Sequence, residues 1–254
     1  MLKFFRNIRK KMVAEKKVSN YLLYAIGEIV LVVIGILIAL AINNANENSV
    51  KKEKEQIYLL GLQDEFQTSK LKLEELIKVN KQSYEDAKKI LAFMETDSLP
   101  SEATLSNLFL NAFAFDISFN PNNSLLNEMI NSGSLKDVRN PRLRLLLTNW
   151  VSNLEDITKQ EVMLDAERTK IIDMFRTEQQ SIKTIFNLSG VSGDLGLPNA
   201  SENQSNLSIL NSTAFENNLL IFILTSINTE TTHYTPLMQS MDVILETIEG
   251  EIKE

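Results

Sequence analysis

The sequence predicts an all-α protein: an N-terminal transmembrane helix followed by a bundle of three long and two short helices. Three observations carry this. Residues 21–42, YLLYAIGEIVLVVIGILIALAI, form an apolar run with a single charge, Glu28. Beyond it, apolar residues recur at steps of three and four, the period of a helix face. Gly (8) and Pro (5) are scarce in 254 residues, and sheets and loops use both as punctuation.

At 1.5 Å per residue the apolar run spans roughly 33 Å, against a bilayer core of about 30 Å. It is longer than the apolar part of a cleavable signal sequence, although Ala39-Leu40-Ala41 offers a small-residue cleavage site, so cleavage remains the alternative to an anchor. Residues 1–20 carry a net charge of +6 through Lys3, Arg6, Arg9, Lys10, Lys11, Lys16 and Lys17, while the remainder carries −13. Lys and Arg stay on the cytoplasmic side of a span. Residues 1–20 are therefore expected as a basic cytoplasmic segment, 21–42 as the span, and 43–254 as a domain outside. In a bacterium with two membranes this means the cytoplasmic (inner) membrane, with the C-terminal domain periplasmic. Residues 2–17 read either as a short amphipathic helix on the headgroups, with Phe5, Ile8 and Met12 on one face, or as a flexible basic tail. Within the span, Glu28, Gly35 and Ala39 share one face, where small residues let a partner helix approach closely.

The domain opens with a stripe of Leu59, Leu62, Phe66, Leu73, Leu76, Tyr84, Ala87, Leu91 and Met94, interrupted by Ser69 and Asn80. Whether the transmembrane helix continues unbroken into it is left open by the Asn-rich junction. Ser101 reads as the cap of a short helix over 102–115. FNPNNS reads as a turn, with Asn123 or Ser124 capping a second short helix that stops at Asn131-Ser132-Gly133. Asn140-Pro141 combines a cap residue with proline at the first helical position. The stripe behind it predicts one long helix from Leu143 through Trp150 to Ile185. Residues 187–213, rich in Asn, Ser and Gly, are expected as a flexible loop. Stripes through Phe215, Leu219 and Phe222 and through His233, Leu237, Met241 and Ile244 complete the bundle. Thr235-Pro236 either starts a new helix there or kinks a continuous one.

Catalytic chemistry finds little footing. The chain has no cysteine and one histidine, His233, which excludes thiolate nucleophiles and cages of several histidines. Acids such as Asp64, Glu65, Glu74, Glu155 and Asp156 read as a solvated helix face. Glu161 and Arg168 differ, because both fall on the core-facing seam. With His233 they form the candidate buried polar site. Gly190, Gly193 and Gly196 lack the strand–turn–helix context of a phosphate loop. No catalytic residue, cofactor or metal site is expected. An acidic domain makes nucleic acid an unsuitable partner.

Two stretches, KKVSNYLLYAIGEIVLVVIGILIALAINNANEN at 16–48 and FNPNNSLLNEMINSGSLKDVRNPRLRLLLTNW at 119–150, resemble a family of small single-span bacterial membrane proteins, widespread in Bacteroidota, with a helical domain of unknown function. The resemblance implies that architecture and no activity. The sequence departs from it at Ala41 and Ala45, where the family pattern has Gln and Trp. The expected function is an uncharacterised single-pass membrane protein, not an enzyme, presenting a helical interaction domain outside the membrane. Its partners would be the lipid bilayer and a second copy or another membrane protein. A ligand-sensing bundle that signals through a partner is the alternative.

Overall fold

The computed structural model describes residues 18–96, 98–198 and 202–252. The basic segment before Val18, with the amphipathic helix expected over 2–17, lies outside the described residues. Among those described the protein is all-helical, without strands. The longer helices are α1 (Val18–Met94), α2 (Glu102–Phe113), α3 (Ser124–Asn131), α4 (Pro141–Met174), α5 (Ile182–Ser189), α6 (Thr213–Asn228) and α7 (Thr235–Glu249). The chain divides into two compact units, Met1–Gln56 and Ile57–Glu254. Helix α1 is unbroken through the Asn-rich junction, where Asn43 donates to Glu47 one turn on, at 2.8 Å.

In the first unit every large aliphatic side chain from Leu22 to Ile42 is exposed. Among the described residues this is one helix long and apolar enough to cross a membrane. An apolar surface of this extent is unfavourable in water and is satisfied by hydrocarbon.

The second unit buries most of the stripe read from the sequence, with Leu76, Leu91 and Met94 only partly enclosed and Ile90 buried beside Leu91. Leu59, Leu62, Phe66, Leu73, Ala87 and Ile90 of α1 are enclosed with Leu143, Leu147, Trp150, Leu164 and Ile171 of α4. Helix α4 packs on α6 and α7, and α2 packs on α5. Trp150, fully buried, meets Phe66 edge-on with ring centres 5.0 Å apart. Phe109, Phe113, Phe175, Phe215 and Phe222 link α2 to α6 through neighbouring ring contacts.

Caps explain the boundaries. The Ser101 hydroxyl accepts from the Thr104 amide, and Asn140 accepts from Arg142 and Leu143, with Pro141 following. Gly133 takes φ 71° after α3, a left-handed conformation that costs glycine nothing. The long helix expected to reach Ile185 instead ends at Met174. Phe175 and Arg176 close it with three-residue turns, and Ser181 caps α5 separately by accepting from Thr184. The apolar stripe reads continuously across this break because Phe175 and Ile185 remain buried on both sides of a short polar turn.

The stretch 187–213, expected as a flexible loop, contains the end of α5, a helical turn at Val191–Asp194 and a 3₁₀ segment at Leu207–Asn211. Asn206, almost fully buried, pins it. Its side chain accepts from the Ser181 amide at 2.7 Å and donates to the Ser181 carbonyl at 3.0 Å. Glu102 of α2 accepts from the Asn206 amide and from the Ser205 hydroxyl. Near the C-terminus, α6 passes into α7 through a π-helical segment, Thr229–Tyr234. Pro236 cannot donate to the carbonyl one turn back, and the widened turn precedes it. Both the amide and the hydroxyl of Thr235 reach the Glu230 carbonyl.

Replacing Asn206 by Ala leaves the part-buried Ser181 amide without its acceptor, while the Ser181 carbonyl keeps the Ile185 amide, and this costs about 1–3 kcal/mol. Denaturant titration of the full chain in detergent is expected to show this loss for Asn206→Ala. The exposed neighbour Asn203→Ala is expected to stay within about 0.5 kcal/mol of the parent.

Candidate functional site

Between α2 and α3 the chain runs without helix over 114–123. Ile117 and Phe119 are buried, while Asp116, Ser118 and Asn120 are exposed, an alternation typical of extended backbone. Backbone groups brought inside a helical core have no ladder to join and must find side chains. Here they find them on α1 and α4. Arg168 donates at 2.9 Å to the carbonyl of Phe113, the last residue of α2, just before the segment begins. The Glu161 carboxylate accepts from the Phe119 amide at 2.8 Å. From α1, the Ser69 hydroxyl accepts from the Asn122 amide at 2.8 Å, and Lys72 donates to the Asn120 carbonyl and the Asn122 side chain.

The same grip continues into α3. Asn123 occupies its cap position but makes no capping bond. Its side-chain oxygen instead accepts from the Trp150 indole at 3.0 Å. Glu65 of α1 takes over the cap, accepting from the Leu125 and Leu126 amides, where a carboxylate also suits the helix dipole. One turn before Glu65, Gly61 faces Leu125 so closely that any Cβ there would displace the leucine side chain.

Glu161 is 7% exposed. The same oxygen that holds Phe119 also accepts from the Tyr234 hydroxyl at 2.8 Å, so the carboxylate ties α4 to both the extended segment and the π segment. Burial raises its pKa above the ordinary 4.5. The bonds from Tyr234 and Phe119 oppose that rise, and Asp116 adds to it. Burial, with Glu161 beside it, likewise raises the Tyr234 hydroxyl. Arg168 also pairs with Asp165 on its own helix at 2.7 Å. The two seam residues picked out by the sequence therefore hold the last residue of α2 and the middle of the segment that follows it.

A polar layer lies alongside. Asn80 of α1 donates to the Ser226 carbonyl at 3.0 Å, and Gln160 donates to Thr229 at 2.9 Å. Tyr84 is pushed up to about 12 by burial and by the neighbouring Glu230 carboxylate. Asp86 is also buried. Burial would raise its pKa, yet bonds from Lys89, Gln82 and Asn111 outweigh that and hold it low.

His233 is half-buried and lines a separate shallow cleft of about 200 Å³ with Asn153, Asp156, Thr232 and Pro236. It does not share the Glu161 bonds, although Tyr234 follows it in the chain. In the first unit, Gly35 and Ala39 are exposed, and a side chain at Gly35 would meet nothing within 4 Å. Among the described residues no group of three or more acids or histidines is placed to hold a metal.

Glu65, Ser69 and Lys72 escaped the sequence reading. Glu65 looked like one acid of a solvated face, and Ser69 like a gap in an apolar stripe. Their common signal is spacing: at 65, 69 and 72 they share one helix face, adjoining the buried stripe.

Together these features define a helical protein with an exposed apolar N-terminal helix and an extended segment clamped between two long helices. The chain belongs to the Family of unknown function (DUF6090), which matches residues 28–161. The match takes in the clamped segment and the α1 side chains that hold it, and ends at Glu161. No curated protein and no solved structure matches the chain.

Glu161 has a testable pH signature. Its raised native pKa means the folded protein binds a proton that the unfolded chain releases near 4.5. Its contribution is therefore most favourable below 4.5 and declines as pH rises through the native value. Glu161→Gln keeps an acceptor and cannot titrate. The stability of the variant relative to the parent, followed by denaturant midpoint, is expected to rise across that window and then level off.

Proposed function

We propose that the protein is a single-pass membrane protein of the bacterial cytoplasmic membrane, with its N-terminus cytoplasmic and a periplasmic helical bundle that acts through contacts with a second copy or a partner membrane protein. One observation carries the membrane reading: the aliphatic side chains from Leu22 to Ile42 are exposed on a helix long enough to span a bilayer. The basic residues before this span support the orientation. The clamp at 114–126 supports a non-enzymatic reading, because its polar side chains are spent on backbone groups.

A ligand-sensing bundle is the second reading. The cleft beside His233 and a second one of about 410 Å³ lined by Thr177, Gln180 and Ser208 support it. Signalling would then pass through a partner.

Crosslinking in native membranes, followed by affinity capture and mass spectrometry, tests the leading reading. Dimers or one reproducible partner are expected. A strictly monomeric protein with no captured partner contradicts it, and saturable stabilisation by a small molecule would transfer support to the sensor.

A further inference from the structure

Helix α6 is apolar on more than the side it buries. Its inner face, Phe215, Leu219, Phe222, Ile223 and Ser226, is enclosed in the core. Its outer face carries Leu220, Ile221 and Leu224, which are 44%, 46% and 64% exposed. They follow helical steps of one, three and four, so they form one stripe. Exposed Asn217 and Asn228 bound it one turn beyond each end. A surface helix of a soluble domain ordinarily keeps that side polar. This helix lies outside the apolar N-terminal span, so the lipid demand of the span does not account for it.

Charge identifies the occupant. Outside residues 1–20 the chain carries −13, and like-charged surfaces repel one another. From Asn217 to Thr229 there is no charged residue at all. Between Glu216 and Glu230 the stripe therefore sets no like charges of α6 against each other when two copies meet there. It is also self-complementary. Parallel pairing sets each residue on itself, and antiparallel pairing sets Ile221 on Leu224, Asn217 on Asn228 and Leu220 on the half-buried Thr225. The parallel arrangement keeps aliphatic against aliphatic and amide against amide throughout, and the antiparallel one does so at all but Leu220.

We infer that the outer face of α6, centred on Leu220, Ile221 and Leu224, is the surface on which two copies of this chain associate. The inference rests on the contact-based, membrane-anchored reading above and specifies its partner as a second copy. A stable interface in solution takes roughly 800 Å² per partner, more than three partly exposed aliphatics provide. Two chains tethered in one bilayer meet at a raised effective concentration, which allows a smaller contact to hold.

The chain contains no cysteine, so single-cysteine variants of the full chain report one position each. Leu224→Cys in native membranes under mild oxidation is expected to give a disulfide-linked species of twice the chain mass. Its yield should exceed that of Glu155→Cys, an exposed control on α4, by about tenfold. Adding Leu220→Glu to Leu224→Cys places like charges across the contact and is expected to return the yield to the control level. Equal yields from Leu224→Cys and Glu155→Cys overturn the inference, as does a crosslinked product containing another protein. Shielding of Leu224→Cys from aqueous maleimide by lipid alone also overturns it. If Ala39→Cys links copies while Leu224→Cys does not, self-association stands and the α6 surface fails. If neither links copies and a partner is captured, the contact-based reading stands without a second copy.

Discussion

Extended backbone inside a helical core has no neighbouring strand to receive its hydrogen bonds, and each buried group left unpaired costs on the order of 1–3 kcal/mol. The second unit of this protein is organised around that constraint. Arg168 of α4 holds the end of α2 and Glu161 the middle of the segment between α2 and α3, while Ser69 and Lys72 of α1 hold Asn120 and Asn122, and Glu65 holds the start of α3. Glu161 extends the arrangement to the π segment through Tyr234. A buried carboxylate is tolerated because its charge is met by two donors, and its raised pKa records the residual cost. The clamp thus places α1, α4 and the C-terminal helices relative to a single piece of non-helical chain.

The all-helical class was legible from residue patterning, but not the number of helices, since Ile182–Ser189 forms a helix of its own. Period and caps placed α2, α3 and the start of α4, since Ser101, Asn140-Pro141 and Gly133 act locally. The end of α4 was not legible, because Phe175, Ile182 and Ile185 stay in register across a polar turn that changes direction. The helical turns at Val191–Asp194 and Leu207–Asn211 were hidden for a related reason. The Asn and Ser content of 187–213 reads as loop, yet one buried side chain, Asn206, bonds both polar groups of Ser181 across the intervening chain.

The site was half legible. Glu161 and Arg168 stood out as charges on an apolar seam, and both do bond to buried backbone. What they hold could not be read, because the partner lies in a turn-like sequence, FNPNNS, whose role depends on tertiary contacts. Asn123 shows the difficulty well. It is a good cap residue by type, but Trp150 claims its side chain and Glu65 caps the helix from another element. The grouping of His233 with the seam residues dissolved in the fold: its neighbour Tyr234 joins Glu161, and His233 lines a cleft elsewhere.

The central claim is that residues 119–126 are held as firmly as the helices that grip them. Amide hydrogen exchange of the full chain in detergent measures this directly. The Phe119, Asn122, Leu125 and Leu126 amides are expected to exchange as slowly as those of mid-α4 and to open with them. Exchange at the rate of exposed loop amides, with α4 still protected, would contradict the clamp and leave the segment a passive connector.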